Sequence, residues 1–267
     1  SGMADGDVKN VDAKEETPSV EFKNVSLTYS GSGAPSVEGI NFKAMKGQTI
    51  GVIGGTGSGK SSLVNLIPRL YDATQGEVIV DGVNVKDYDI EALRNKVGIV
   101  MQKAVLFKGT IRENMWMGKK GATDEQIDEA LEISQSKEFV DSKQGRLDYV
   151  IEQGGKNLSG GQRQRLTIAR AIVRKPDVLI LDDSASALDF ATDAALRKAI
   201  RGMNNSPTVF IVSQRAASLM YADLIIVLDD GQVAGMGTHD ELLANCEVYK
   251  EIYESQFKKA DSEGGVA

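Results

Sequence analysis

The sequence predicts an α/β fold built on a largely parallel sheet. Three observations carry this. Short apolar stretches of strand length stand at 49–53, 97–101, 178–181, 209–212 and 224–228. Helical stretches separate several of them. A glycine-rich pattern, at 54–62, joins one of these strands to the helix expected after it. Strands that alternate with helices are linked by crossovers, and crossovers lay strands parallel.

Taken in order, the chain begins with residues 1–17, polar, charged and nearly free of large apolar side chains, as a disordered lead-in is. Ser1-Gly2 ahead of Met3 suggests a scar of tag removal, and so an excised piece of a longer protein. Val20, Phe22, Val25, Leu27 and Tyr29 alternate roughly, which predicts one or two strands. Residues 30–35 form a Gly/Ser/Pro turn. Strands at 40–44 and 49–53 flank the Lys46-Gly47 turn. A helix is expected from Gly59 to about Leu70, and a strand at 77–80. From about Thr110 to Val173 the pattern turns helical. Thr123, Asp124 and Gln126 offer a helix start, and Ile127, Ala130, Leu131 and Ser134 keep helical spacing. Ala194, Ala195, Leu196 and Ile200 mark a further helix. Residues 257–267 read as a second loose end.

The composition excludes several chemistries. The single cysteine, Cys246, leaves no intrachain disulfide and no Cys-based zinc site. The single histidine, His239, removes His-rich metal centres and mechanisms that need two histidines. Lys and Arg number 31 against 38 Asp and Glu, and the net charge of −7 argues against broad nucleic-acid binding. The longest strictly apolar run, 224–228, is far short of the ~20 residues a bilayer span needs. The polar, acidic start shows no signal peptide.

The motif Gly54-Gly55-Thr56-Gly57-Ser58-Gly59-Lys60-Ser61-Ser62 fits G-x-x-x-x-G-K-[ST] between a strand and a helix, the context that a phosphate-binding loop needs. Its glycines let successive N–H groups turn inward, and the helix N-terminus adds positive potential. Lys60 can reach β- and γ-phosphates, and the Ser61 hydroxyl can ligate Mg2+. The strand at 178–181 ends in Asp182, a carboxylate placed to complete the shell of that ion, usually through water. ATP with Mg2+ is the expected ligand.

Leu158-Ser159-Gly160-Gly161-Gln162 then stands directly before a helical stretch, Arg163 to Val173. By itself it could be a helix N-cap with flexible glycines. Lying between the phosphate loop and the Asp182 strand, it closely resembles the signature of ABC transporter nucleotide-binding domains. The resemblance covers about Val20 to Ser255. It implies a P-loop (RecA-like) core, a mainly antiparallel β subdomain, and an inserted helical subdomain at about 103–173, all within residues 18–256. It also assigns roles. Tyr29 would stack on adenine, and Gln102 would contact Mg2+ and the attacking water. Asp189, in Ser186-Ala187-Leu188-Asp189, would communicate between the two sites of a dimer. Glu152 resembles the exporter element that touches the membrane domain. The segments Val105-Leu106-Phe107-Lys108-Gly109-Thr110-Ile111-Arg112-Glu113-Asn114 and Gly237-Thr238-His239-Asp240-Glu241-Leu242-Leu243 are very like those of multidrug-type exporters. In the family two such domains pack head to tail, each ATP held between the P-loop of one and the Ser159, Gly160, Gly161 and Gln162 counterpart of the other. The implied partners are a second nucleotide-binding domain and the exporter's transmembrane domain, at the cytoplasmic face of the membrane, with this piece itself soluble.

Two positions depart from the family. Asp183 follows Asp182 where a glutamate usually acts as base. Gln214, in Ser213-Gln214-Arg215, stands where a histidine usually contacts the γ-phosphate. The shorter Asp183 retracts its carboxylate by roughly 1.5 Å. Gln214 can donate an N–H but carries no positive charge. The chain thus resembles the degenerate half of a heterodimeric exporter, whose own site turns over weakly while its signature serves a different chain. Other readings stay open: a competent homodimeric exporter domain, a passive ATP-binding module, or a soluble ATPase acting on DNA or the ribosome.

Overall fold

The computed structural model describes residues 16–103 and 105–263. Most of the expected lead-in, residues 1–15, lies outside the described residues. Strand β1 (Val20–Leu27) pairs antiparallel with β2 (Val37–Ala44), and β3 (Thr49–Gly54) then leads into α1 (Lys60–Asn65). The helix expected to reach Leu70 stops at Asn65, five residues early. Pro68 lacks an N–H and its ring crowds the preceding turn. The chain tightens there into three-residue turns, Leu66 N–H to Leu63 O and Ile67 N–H to Val64 O.

Next come β4 (Gln75–Val80), β5 (Val83–Asn84), α2 (Ile90–Lys96) and β6 (Val97–Val100). A small ribbon and four helices follow: β7 (Gly109–Thr110), α3 (Ile111–Trp116), α4 (Asp124–Ile133), α5 (Lys137–Asp141), β8 (Val150–Ile151) and α6 (Gly160–Ile172). Thr123 caps α4 as expected, its hydroxyl accepting from Gln126 N–H while Gln126 reaches back to Thr123 N–H. The chain closes with β9 (Val178–Asp182), α7 (Phe190–Arg201), β10 (Thr208–Val212), β11 (Leu224–Asp229), β12 (Gln232–Gly237), α8 (His239–Asn245) and α9 (Glu247–Glu263). The end read as loose is therefore helical to Glu263. Tyr249 is fully buried near its start, and Ile252 and Tyr253 pack on the same cluster one turn on.

Two principal sheets form. One is antiparallel, in the order β2-β1-β4-β5. The other has the order β12-β11-β3-β10-β9-β6, parallel except for the β11–β12 pair. The parallel strands β3 and β9 within the second sheet are buried on both faces, as parallel strands commonly are. In β9, Val178 and Ile180 join the cluster that includes the antiparallel sheet and α1, whereas Leu179 and Leu181 join the one that includes α3, α4 and α6. A third cluster sets Ile53, Ile225 and Val227 against Tyr249 and Leu242. Among the described residues no helix is long and apolar enough to cross a membrane.

This order positions the site. Strands β6, β9, β10 and β3 are parallel neighbours, with Val100 opposite Leu181, Asp182 opposite Val212, and Val212 opposite Val52. Their carboxyl ends therefore lie side by side. Gln102, Asp182 and Asp183, Gln214 and the glycine loop all leave from that one edge, where open α/β sheets bind ligands.

Candidate functional site: a phosphate loop and its carboxylates

The glycine loop leaves β3 at Gly54 and enters α1 at Lys60. Gly57 (φ +77°) and Gly59 (φ +102°) take left-handed backbone that favours glycine. A Cβ on Gly59 would lie 2.4 Å from Ser36 O, so the approach of the antiparallel sheet demands glycine as well. Lys60 folds back over the loop, its Nζ donating to Gly54 O and Gly55 O at 2.8 Å each. Burial pulls its pKa down, against the pull of the Asp182 and Asp183 carboxylates. Ser58 Oγ is buried beside the Gly54 backbone and has no hydrogen-bond partner among the described residues.

The Ser61 hydroxyl donates to Asp182 Oδ2 at 2.8 Å, so the two expected ion-holding groups already touch. Burial pushes the Asp182 carboxyl up from the usual range; the Ser61 bond opposes this and the neighbouring Asp183 adds to it. Two adjacent carboxylates share one lysine, an arrangement short of positive charge. Ser61 and Asp182 offer the hard oxygens that Mg2+ takes. No group of three His, Cys, Asp or Glu side chains among the described residues could hold a metal alone.

Asp183 takes φ +47° and receives Gln102 Nε2 on its Oδ2 at 3.3 Å. Gln214 Nε2 donates to Thr56 Oγ1 at 3.3 Å, which brings it over the glycine loop. Tyr29 OH lies 2.8 Å from Ser62 Oγ, and its ring meets Tyr71 edge-on at 4.9 Å. The structure thus draws Tyr29, the loop, Gln102, Asp182, Asp183 and Gln214 together.

The remaining expected residues form a second cluster. Helix α6 begins at Gly160, inside the motif and three residues before the expected Arg163. Ser159 is its N-cap: the Ser159 hydroxyl accepts from Gln162 N–H and Gln162 Oε1 accepts from Ser159 N–H, both at 3.1 Å. The capping reading of the motif is therefore correct as local structure. It leaves Gly160 and Gly161 in the first turn, where N–H groups lack intrahelical acceptors. Asp189 caps α7 through Thr192, whose N–H and hydroxyl hold its carboxyl below the usual range. Gln164, not singled out by sequence, joins these parts. It donates from Nε2 to Ser186 Oγ at 3.1 Å and accepts from Ala187 N–H at 2.9 Å.

A profile described as ABC transporter matches residues 37–186, more than half of the chain. The chain belongs to the ABC transporter family. It is 43% identical over 244 residues to a protein of Bacillus subtilis named "Uncharacterized ABC transporter ATP-binding protein YfiB", covering 91% of this chain and 42% of that protein. It is 42% identical over 250 residues to an uncharacterized ABC transporter ATP-binding protein of Mycobacterium tuberculosis, covering 92% of this chain and 42% of that one. It thus spans about two fifths of the length of these relatives. Among solved structures, a bacterial Atm1-family ABC exporter with ATP bound superposes with a TM-score of 0.85 at 32% identity, over 94% of this chain and 44% of that one.

As an ABC domain the chain is a nucleotide-binding α/β unit of the P-loop ATPase class. The cradle's tolerance to added bulk is uneven. Gly59→Ala places a methyl group against the Ser36 backbone and forces φ +102° on an alanine. It should cost about 1–3 kcal/mol of stability. A Cβ on Gly55 meets nothing within 4 Å. Gly55→Ala should therefore stay within about 0.5 kcal/mol. Urea unfolding of the pair checks the contrast.

Proposed function

We propose that the chain is the ATP-binding domain of an exporter, of the multidrug type, and that its own nucleotide site turns over weakly. Tyr29 lies along the adenine, the loop N–H groups and Lys60 take the phosphates, and Ser61 and Asp182 hold Mg2+ with Gln102 beside it. The observation that carries this is the Ser61–Asp182 contact beside Lys60 at the strand ends. It supplies both the anion cradle and the cation seat. A bound Mg2+ supplies charge neutralisation at the phosphates; the side chains orient and exclude water around them.

The export reading is supported by the likeness to the Atm1-family exporter. A second nucleotide-binding domain, from a different chain, completes the pair. Each γ-phosphate then sits between one P-loop and the other chain's Gly160–Gly161 counterpart, so ATP favours closure by its differential affinity. Hydrolysis removes that bridge and lets the pair open.

Asp183 occupies the base position with insufficient reach, and Gln214 the γ-phosphate position without charge. A base must come within about 2.6–3.2 Å of the water it activates. The competent site of the pair is then the one at the partner's P-loop, completed by Ser159, Gly160, Gly161 and Gln162 of this chain. Phosphate release after mixing with a catalytically intact partner domain tests this. Turnover should exceed that of the partner alone, and Gly161→Glu should remove the excess. Turnover equal to the partner alone would instead favour a passive module.

A further inference from the structure

The C-terminal helix reaches back to the phosphate site. Tyr249, fully buried, anchors α9 among Ile53, Ile225 and Val227. Its hydroxyl meets His239 Nδ1 at 2.7 Å, tying α9 to α8. Seven residues on, about two helical turns and so on the same side, stands Gln256. Its Nε2 donates to Gln214 O at 2.7 Å, and its Oε1 accepts from Ala216 N–H at 2.9 Å. The two bonds bracket Arg215 and hold the carbonyl of Gln214, whose own side-chain amide reaches Thr56 of the glycine loop. The carboxamide gives and takes at once here; a carboxylate only accepts and an ammonium only donates.

We infer that Gln256 is a positioning residue: it fixes the backbone of Gln214 so that the Gln214 amide faces the P-loop, and it makes the γ-phosphate end of the site depend on docking of α9. The inference rests on the reading of Gln214 as a γ-phosphate contact. It needs no change in the rest of the cradle. Lys60, Ser61 and Asp182 hold the shared phosphates and the ion, so ADP should be indifferent to Gln256.

Equilibrium binding of Mg-ATP and Mg-ADP to the full chain tests it, with Gln214→Ala as reference. Gln256→Met keeps bulk and helix propensity but loses both bonds; Gln256→Asn keeps the amide but falls one methylene short. Each should weaken ATP about fivefold, the loss of one to two hydrogen bonds, and leave ADP unchanged. The Gln214→Ala/Gln256→Met pair should lose no more than Gln214→Ala alone, because both act through one contact. Equal weakening of ATP and ADP, an unchanged ATP affinity, or full additivity overturns the inference. If Gln214→Ala itself leaves the ratio of ATP to ADP affinity unaltered, the reading of Gln214 falls and the role of Gln256 falls with it. The melting temperature, read in parallel, separates loss of fold from loss of position.

Discussion

Asp183→Glu combined with Gln214→His should raise ATP turnover at this chain's own site by on the order of 10²-fold, since a misplacement of about 1 Å costs that much. The added methylene moves the carboxylate forward, and the imidazole restores a group able to bear charge toward the transferring phosphoryl. The assay is phosphate release by the pair formed with a partner whose own catalytic base has been neutralised, so that only this site reports. The gain should carry a cost in stability. Asp183 sits at φ +47°, a conformation Asp tolerates better than most residues. Glutamate there should lose about 1–2 kcal/mol, visible as a lower melting temperature. A native rate equal to that of the double variant would sink the weak-site reading and leave a competent homodimer in its place.

Lys60→Ala should lower ATP affinity by about 10- to 100-fold, the worth of a hydrogen bond between charged groups. The lysine is the cation that lies among Gly54 O, Gly55 O and the Asp182 and Asp183 carboxylates. Its removal takes away a phosphate ligand and leaves two neighbouring carboxylates facing each other. Asp182, already pushed up by burial, should then bind a proton more readily, and the demand for Mg2+ should grow. The fold should persist, because the bonds of the Lys60 ammonium among the described residues run to two carbonyls of its own loop, Gly54 O and Gly55 O, and to no other element. Calorimetric titration with Mg-ATP, beside a thermal melt, measures both. Unchanged affinity would mean that the loop does not cradle phosphate.

Much of the site was legible because its physics is local. A glycine at Gly59 is demanded by backbone angle and by Ser36 alike, and the lysine follows it at a fixed spacing. The buried strand at 178–182 announces itself by uninterrupted apolar residues, and Asp182 stands out at its end. Other parts depend on partners distant in the chain. Strand β12, Gln232–Gly237, carries one glycine inside it and ends on another, and it exists because β11 offers it a ladder. The last turns of helix α9, from residue 257, are polar enough to read as a loose end; the core side of its start, Tyr249, Ile252 and Tyr253, becomes visible only against β11 and α8. Gln164 and Gln256 carry no signal in one sequence. An exposed-looking glutamine in a polar run is ordinary until the fold shows what its amide reaches.

The Gln164 amide has a mechanical consequence. By clasping Ser186 and Ala187 from within α6, it welds the glycine turn at one end of the helical half to the stretch that follows Asp182 and Asp183. The two cannot be displaced separately without breaking these two bonds, made by a side chain that is itself buried. The stretch from Asp182 to Asp189 is thereby held at both ends, by strand β9 on one side and by helix α6 through Gln164 on the other.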